Sequence, residues 1–172
     1  MEEKQILLTP ELSYRLGAID VGSNSIRLII AEPLREWNYR ILDEEKSPVR
    51  LSKGLSVTGH LSPEGVQQAL DALRRMKQIA IGFQVRELRV IATCAVREAS
   101  DGAAFVARVK QELDLDVEVI SAEREAHLAF TSVARSFQLD GKHVAVADTG
   151  GGSTEIILAS GNVIEAICGS AN

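Results

Sequence analysis

Gly17-Ala18-Ile19-Asp20-Val21-Gly22-Ser23-Asn24-Ser25-Ile26-Arg27-Leu28-Ile29-Ile30 stands near the start of this 172-residue chain. Its pattern returns near the end as Val144-Ala145-Val146-Ala147-Asp148-Thr149-Gly150-Gly151-Gly152-Ser153-Thr154-Glu155-Ile156-Ile157-Leu158. Each copy is an apolar run of β type, a carboxylate, a Gly/Ser-rich turn and a second apolar run. The glycines permit positive φ and let the backbone approach a ligand with no Cβ in the way. Several N–H groups and hydroxyls then converge on one point, which suits a phosphate oxygen. Asp20 and Asp148 each close the strand that leads into the turn, where a carboxylate can hold a hydrated divalent cation. One copy alone also reads as an ordinary glycine hairpin, and Ser23, Asn24 and Ser25 are common turn residues. Two copies with the Asp in the same place read as a two-sided clamp. Ser23, Asn24, Ser25, Gly150, Gly151, Gly152 and Ser153 would bind phosphate, and Asp20 and Asp148 would jointly coordinate Mg2+ or water.

Outward from the first hairpin, residues 16–20 and 26–32 read as its two strands. Residues 39–49 read as a third strand, charged at alternate positions and so suited to an edge. Residues 50–61 read as a loop, and residues 1–14 as a loosely held lead-in. Ser62-Pro63-Glu64 combines a hydroxyl N-cap, proline at the first helical position and an early acid. Val66, Ala69, Leu70, Leu73, Met76, Ile79 and Ala80 then recur at helical spacing as one buried stripe, with Gly82 as the stop. Residues 88–92 form a short buried strand that runs into the loop Thr93-Cys94-Ala95-Val96-Arg97. Ser100 or Asp101 caps a second helix with Phe105, Val106, Val109 and Leu113 inward. Residues 116–120 make another strand, and Ser121 caps a third helix with Ala126, Ala129, Phe130, Val133 and Phe137 inward. From His143 the chain reads as strands again, 156–159 and 163–168 flanking the turn Ser160-Gly161-Asn162.

The order is β-β-β-α-β-α-β-α followed by β-β-β, an α/β class with a mixed sheet covered by helices. Residues 1–137 are expected to form a first lobe. Residues 138–172 would begin a second, similar one whose strands lie uncovered, leaving half a cleft. Open apolar edges of that kind pair with a partner, so a homodimer is expected.

A net charge of −5 argues against broad binding to nucleic acid or to an anionic membrane. An anionic substrate must then be held locally, by a metal, oriented amides and a few arginines. No run approaches the roughly 20 apolar residues of a membrane helix, and residues 1–16 lack the apolar core of a signal peptide. Cys94 and Cys168 have no metal-ligand spacing and read as thiols of a reducing cytoplasm rather than a disulfide. His60, His127 and His143 have no such spacing either. The serines lack the flanking residues of a serine hydrolase.

Glu123 and Glu125 fall in the first turn of the third helix. Either they compensate the helix dipole, or one of them takes a proton from an attacking water. Arg97 follows a buried strand at the end where α/β sheets bind ligands. A surface salt bridge and a phosphate contact both suit it.

The stretch AIDVGSNSIRLII resembles the first phosphate loop of the exopolyphosphatase/guanosine pentaphosphate phosphohydrolase (Ppx/GppA) family, within the actin-like ATPase superfamily. RLSKGLSVTGHLSPEGV, IATCAVREASDG, VEVISAEREAHLAF and VADTGGGSTEIIL continue the likeness in the family's order across residues 17–160. The resemblance implies a ribonuclease H-like lobe followed by the first strands of a second. It also implies an enzyme that removes the terminal phosphate from inorganic polyphosphate or guanosine pentaphosphate with Mg2+. Glu125 would be the general base, and Asp20 and Asp148 would hold the metal, supported by Glu155. Arg97 would neutralise substrate charge. Ala122 and Arg124 depart from the family's ISGxEEA segment, and Arg124 is placed to pair with Glu125 and lower its pKa. Two other classes stay open: a kinase or ATPase of the same superfamily, and a non-catalytic module that binds a phosphorylated nucleotide.

Overall fold

The computed structural model describes residues 14–35 and 38–171, so the expected lead-in at 1–14 lies, but for Tyr14, outside the described residues. The opening hairpin pairs β1 (Leu16–Val21) with β2 (Ser25–Pro33), and β3 (Tyr39–Pro48) adds antiparallel to β2. β4 (Glu87–Ala92) lies parallel to β1, and β5 (Val117–Val119) parallel to β4. The first sheet is therefore mixed, in the order β3-β2-β1-β4-β5, with β3 at the edge as its alternating charges require. Its period-2 pattern sends Ile19, Val21, Ile26, Leu28 and Ile30 to one face, where they join Val90 and Ala92.

Two helices cover that face. α2 (Pro63–Gly82) brings Ala69, Leu70, Leu73 and Met76, and α4 (Gly102–Leu113) brings Phe105, Val109 and Leu113, all into one buried core. The Ser62 hydroxyl accepts from the Gly65 N–H at 3.2 Å, which satisfies one orphan donor at the start of α2. Gly82 ends this helix as expected, but not as a left-handed cap. It is the last helical residue, and the chain reverses at Gln84, whose φ is 54°. Asp101 precedes α4, but its carboxylate accepts from the Leu61 N–H at 3.0 Å instead of capping the helix.

Two short helices occupy stretches expected as loops. α1 (Leu55–Thr58) lies between Gly54 and Gly59, both at positive φ, and α3 (Cys94–Glu98) starts directly after β4. Single turns of this length carry too little periodic pattern to stand out in a sequence.

α5 (Ala122–Ser136) is capped by Ser121, whose hydroxyl accepts from the Arg124 N–H at 3.1 Å. Beyond it, β6 (His143–Thr149), β7 (Ser153–Ser160) and β8 (Val163–Ala171) form a three-stranded antiparallel sheet in that order. Ala126 and Phe130 of α5 pack with Leu139, Ile157 and Ala159, so α5 covers this second sheet. A lobe boundary at residue 137 would part α5 from the strands it packs on, and the second sheet is not left bare on that face. Phe137, expected on the inner face, is 65% exposed, because the helix ends at Ser136 and the next residue turns to extended backbone.

Candidate active site

Both hairpin turns close in the same way. The Gly22 N–H donates to the Ser25 carbonyl at 3.1 Å, and the Gly150 N–H donates to the Ser153 carbonyl at 2.9 Å. Asp20 and Asp148 each stand two residues before the closing glycine. The residue opposite the carboxylate differs: Arg27 faces Asp20 across β1 and β2, whereas Glu155 faces Asp148 across β6 and β7.

The loop after β3 clamps the first turn. The Val49 and Arg50 N–H groups donate to the Asn24 carbonyl at 2.9 and 3.0 Å, and the Ser52 N–H donates to the Ser23 carbonyl at 3.1 Å. The second turn lies directly on the first. A Cβ at Gly151 would collide with the Asn24 side-chain amide, and one at Gly152 would stand 2.5 Å from Ser23 Oγ and 3.3 Å from Cys94 Sγ. These two glycines are therefore required by close approach, not by a positive φ.

Together the turns enclose a cavity of about 210 Å³. Its walls bring together Asp20, Ser23, Asn24, Ser25, Glu125, Asp148, Gly150, Gly151, Gly152, Ser153 and Glu155, with Gly22, Thr93 and Cys94 between them. Larger hollows elsewhere each hold a single carboxylate, whereas this one holds four and no Lys or Arg side chain. Thr93 and Cys94 were not legible as site residues. Their only signal is that they follow a strand parallel to β1, at the end where ligands bind.

Arg97 is the expected site residue that does not line the cavity. Its Nη1 donates to the Ile120 carbonyl and to Glu125 Oε2, both at 3.0 Å, and its Nε donates to Glu98 at 3.2 Å. The guanidinium thus stands behind Glu125 and fixes it. Burial alone would lower Arg97, but the hydrogen bond and attraction of Glu125 win and hold it above its ordinary value.

Burial also pushes the Glu125 carboxyl above its usual range. The Arg97 hydrogen bond opposes this, and the negative charges of Glu155 and Asp20 add to it. Arg124 does not make the expected pair with Glu125, whose carboxylate is bonded by Arg97 instead. Arg124 lines an outer groove of α5 with Glu123 and His127. Consecutive helical residues point about 100° apart and do not share a face, so Arg97 is the partner and the net shift is upward.

Asp20 opens to solvent through the cleft mouth, yet protein surrounds it on most sides. That enclosure raises its pKa, with Arg27 opposing and Asp148 reinforcing. Two neighbouring carboxylates of this kind suit a shared divalent cation. No cluster of three or more His, Cys, Asp or Glu side chains forms a closed metal cage among the described residues. Such a set fits Mg2+, which keeps several waters and is bound by one or two carboxylates plus phosphate oxygens.

The sequence pattern of the Ppx/GppA phosphatase family matches residues 29–169. The chain is 29% identical over 142 residues to exopolyphosphatase 1 of Mycobacterium tuberculosis, covering 83% of this chain and 41% of that protein. It is 30% identical over 156 residues to guanosine-5'-triphosphate,3'-diphosphate pyrophosphatase of Aliivibrio fischeri, covering 91% of this chain and 31% of that protein. An exopolyphosphatase structure from Cytophaga hutchinsonii superposes with a TM-score of 0.86 at 33% identity, over 91% of this chain and 50% of that one. A Bacteroides thetaiotaomicron protein with an actin-like ATPase fold matches at TM-score 0.50 and 7% identity, a likeness of fold alone. The chain spans half or less of the length of these family relatives. With two matching turns, a carboxylate-lined cleft between them and a family pattern covering most of its residues, the chain belongs to the Ppx/GppA phosphatase family.

Proposed function

We propose that this chain carries the hydrolytic centre of an enzyme that removes the terminal phosphate from inorganic polyphosphate or guanosine pentaphosphate. The observation that carries this reading is the cavity itself: two phosphate-type turns face each other, and Glu125 is held at its wall by Arg97. The substrates come from the relatives' activities, an exopolyphosphatase and a guanosine pentaphosphate pyrophosphatase.

In the proposed reaction the terminal phosphoryl group rests between Ser23-Asn24-Ser25 and Gly150–Ser153. Hydroxyls and turn amides meet its oxygens as charge develops there. Glu125, oriented by Arg97, takes a proton from a water that attacks the phosphorus in line. The P–O bond to the bridging oxygen breaks, and the shortened polyphosphate or guanosine tetraphosphate leaves with inorganic phosphate as the other product. Four carboxylates and no basic side chain would repel this substrate without a counter-charge. Asp20 and Asp148, supported by Glu155, would hold Mg2+, which when bound supplies that positive charge.

The test is phosphate release from both substrates side by side, with and without Mg2+. Release from at least one of them that stops on Mg2+ removal is expected. ATP consumption with transfer to an acceptor, and neither polyanion hydrolysed, would replace this reading with that of a kinase or ATPase.

A further inference from the structure

The Cys94 thiol donates to the Gly152 carbonyl at 3.1 Å. It is the only hydrogen bond among the described residues that joins the first sheet's lobe, residues 14–119, to the β6–β8 sheet. Cys94 opens α3, and the Thr93 N–H bonds the Val21 carbonyl at 3.3 Å, so the thiol is rooted in the same strand end as the first turn. On the opposite side, Gly152 has no room for a Cβ beside Ser23 Oγ and Cys94 Sγ.

We infer that Cys94 is a positioning residue, a latch that holds the second phosphate turn against the first and fixes the orientation of the Gly152–Ser153 peptide. This rests on reading the cavity as a phosphate site. A carbonyl oxygen free to turn into the cavity would repel a phosphate oxygen. With that carbonyl bound to the thiol, the Ser153 N–H is held pointing the opposite way, since a trans peptide directs its C=O and N–H apart. Burial pushes the Cys94 thiol up, against the pull of Arg97, so the S–H remains intact to donate at neutral pH. Cys94 therefore acts as a donor and not as a nucleophile.

The experiment uses the Cys168→Ser background, in which Cys94 is the single thiol of the chain. Binding of Mg2+-tripolyphosphate is measured by calorimetry, so the result does not depend on turnover. Cys94→Ala is expected to weaken binding about five- to tenfold, the scale of one lost hydrogen bond. Cys94→Ser keeps a donor and is expected to bind as the parent does. Cys94→Ala binding as tightly as the parent would overturn the latch, and so would Cys94→Ser binding as weakly as Cys94→Ala.

A second readout separates this claim from the functional reading. If the parent binds no tripolyphosphate, the phosphate site fails, and labelling of Cys94 by a disulfide reagent still decides the latch. Gly152→Ala drives a methyl between Ser23 and Cys94 and is expected to speed labelling severalfold. An unchanged labelling rate would show that the two turns are not held by this contact.

Discussion

At the scale of single residues, the site depends on which charge faces which. Arg27 answers Asp20, but Glu155 stands at the matching place opposite Asp148, so the second turn adds negative charge where the first offsets it. Asp20 and Glu125 are both held above their ordinary pKa values, burial being the larger cause in each. A carboxyl raised in the folded state stabilises the fold below its unfolded pKa, and this contribution is lost as pH climbs through the raised value. From about pH 4 upward, these two groups should therefore cost the metal-free protein stability, and Mg2+ should restore part of it. Asp20→Asn is expected to raise the metal-free Tm at neutral pH and to abolish the increase on adding Mg2+. A Mg2+-induced increase that survives in this variant would remove Asp20 from the metal site. Arg97→Lys retains a charge but loses the planar guanidinium, whose Nη1 bonds both Glu125 and the Ile120 carbonyl while its Nε reaches Glu98. Because Arg97 lowers Glu125 against the effect of burial, weakening the pair should raise Glu125 further. The acidic limb of the pH–rate profile should then move to higher pH, and an unmoved limb would separate Arg97 from the base.

At the scale of elements, α5 joins stability to chemistry. It presents Glu125 to the cavity and Phe130 to the small core of the second sheet, with one turn of helix between them. Phe130→Ala should cost about 3–5 kcal/mol of the packing that seats this helix. It should reduce activity by loosening Glu125, with melting and phosphate release falling together; activity unchanged beside a large melting loss would uncouple the two. The hairpins, α2 and α4 were legible in the sequence because each alternation or stripe has one face to bury. The sheet that α5 packs on was not. Ala126 and Phe130 form the same stripe whichever sheet they face, and nothing local chooses between β1–β5 and β6–β8. Arg97 shows the same limit, since a guanidinium's partner depends on how Ile120 and Glu125 are brought alongside it. Beyond its place after a parallel strand, Cys94 gave no signal, because its role arises only where Gly152 of the other turn meets it.

At the scale of the whole molecule, the cavity lies between two sheets that bury separate cores. α5 shields one face of the second sheet, while Ile156 and Leu158 on the other face are 46% and 47% exposed. Among the described residues β6 and β8 each pair on one side only, and that face is expected to draw this 172-residue chain into self-association. Sedimentation across a concentration series should show a growing dimer fraction, and a monodisperse monomer throughout would count against it. None of the described helices is long and apolar enough to cross a membrane.

Glu125 is proposed to activate the attacking water, and the rate of phosphate release by Glu125→Gln beside the parent decides whether it does. With Mg2+ and polyphosphate or guanosine pentaphosphate, the variant should bind substrate yet release phosphate about 10²–10⁴-fold more slowly. Phosphate release at the parent's rate by Glu125→Gln would show that Glu125 is not the base.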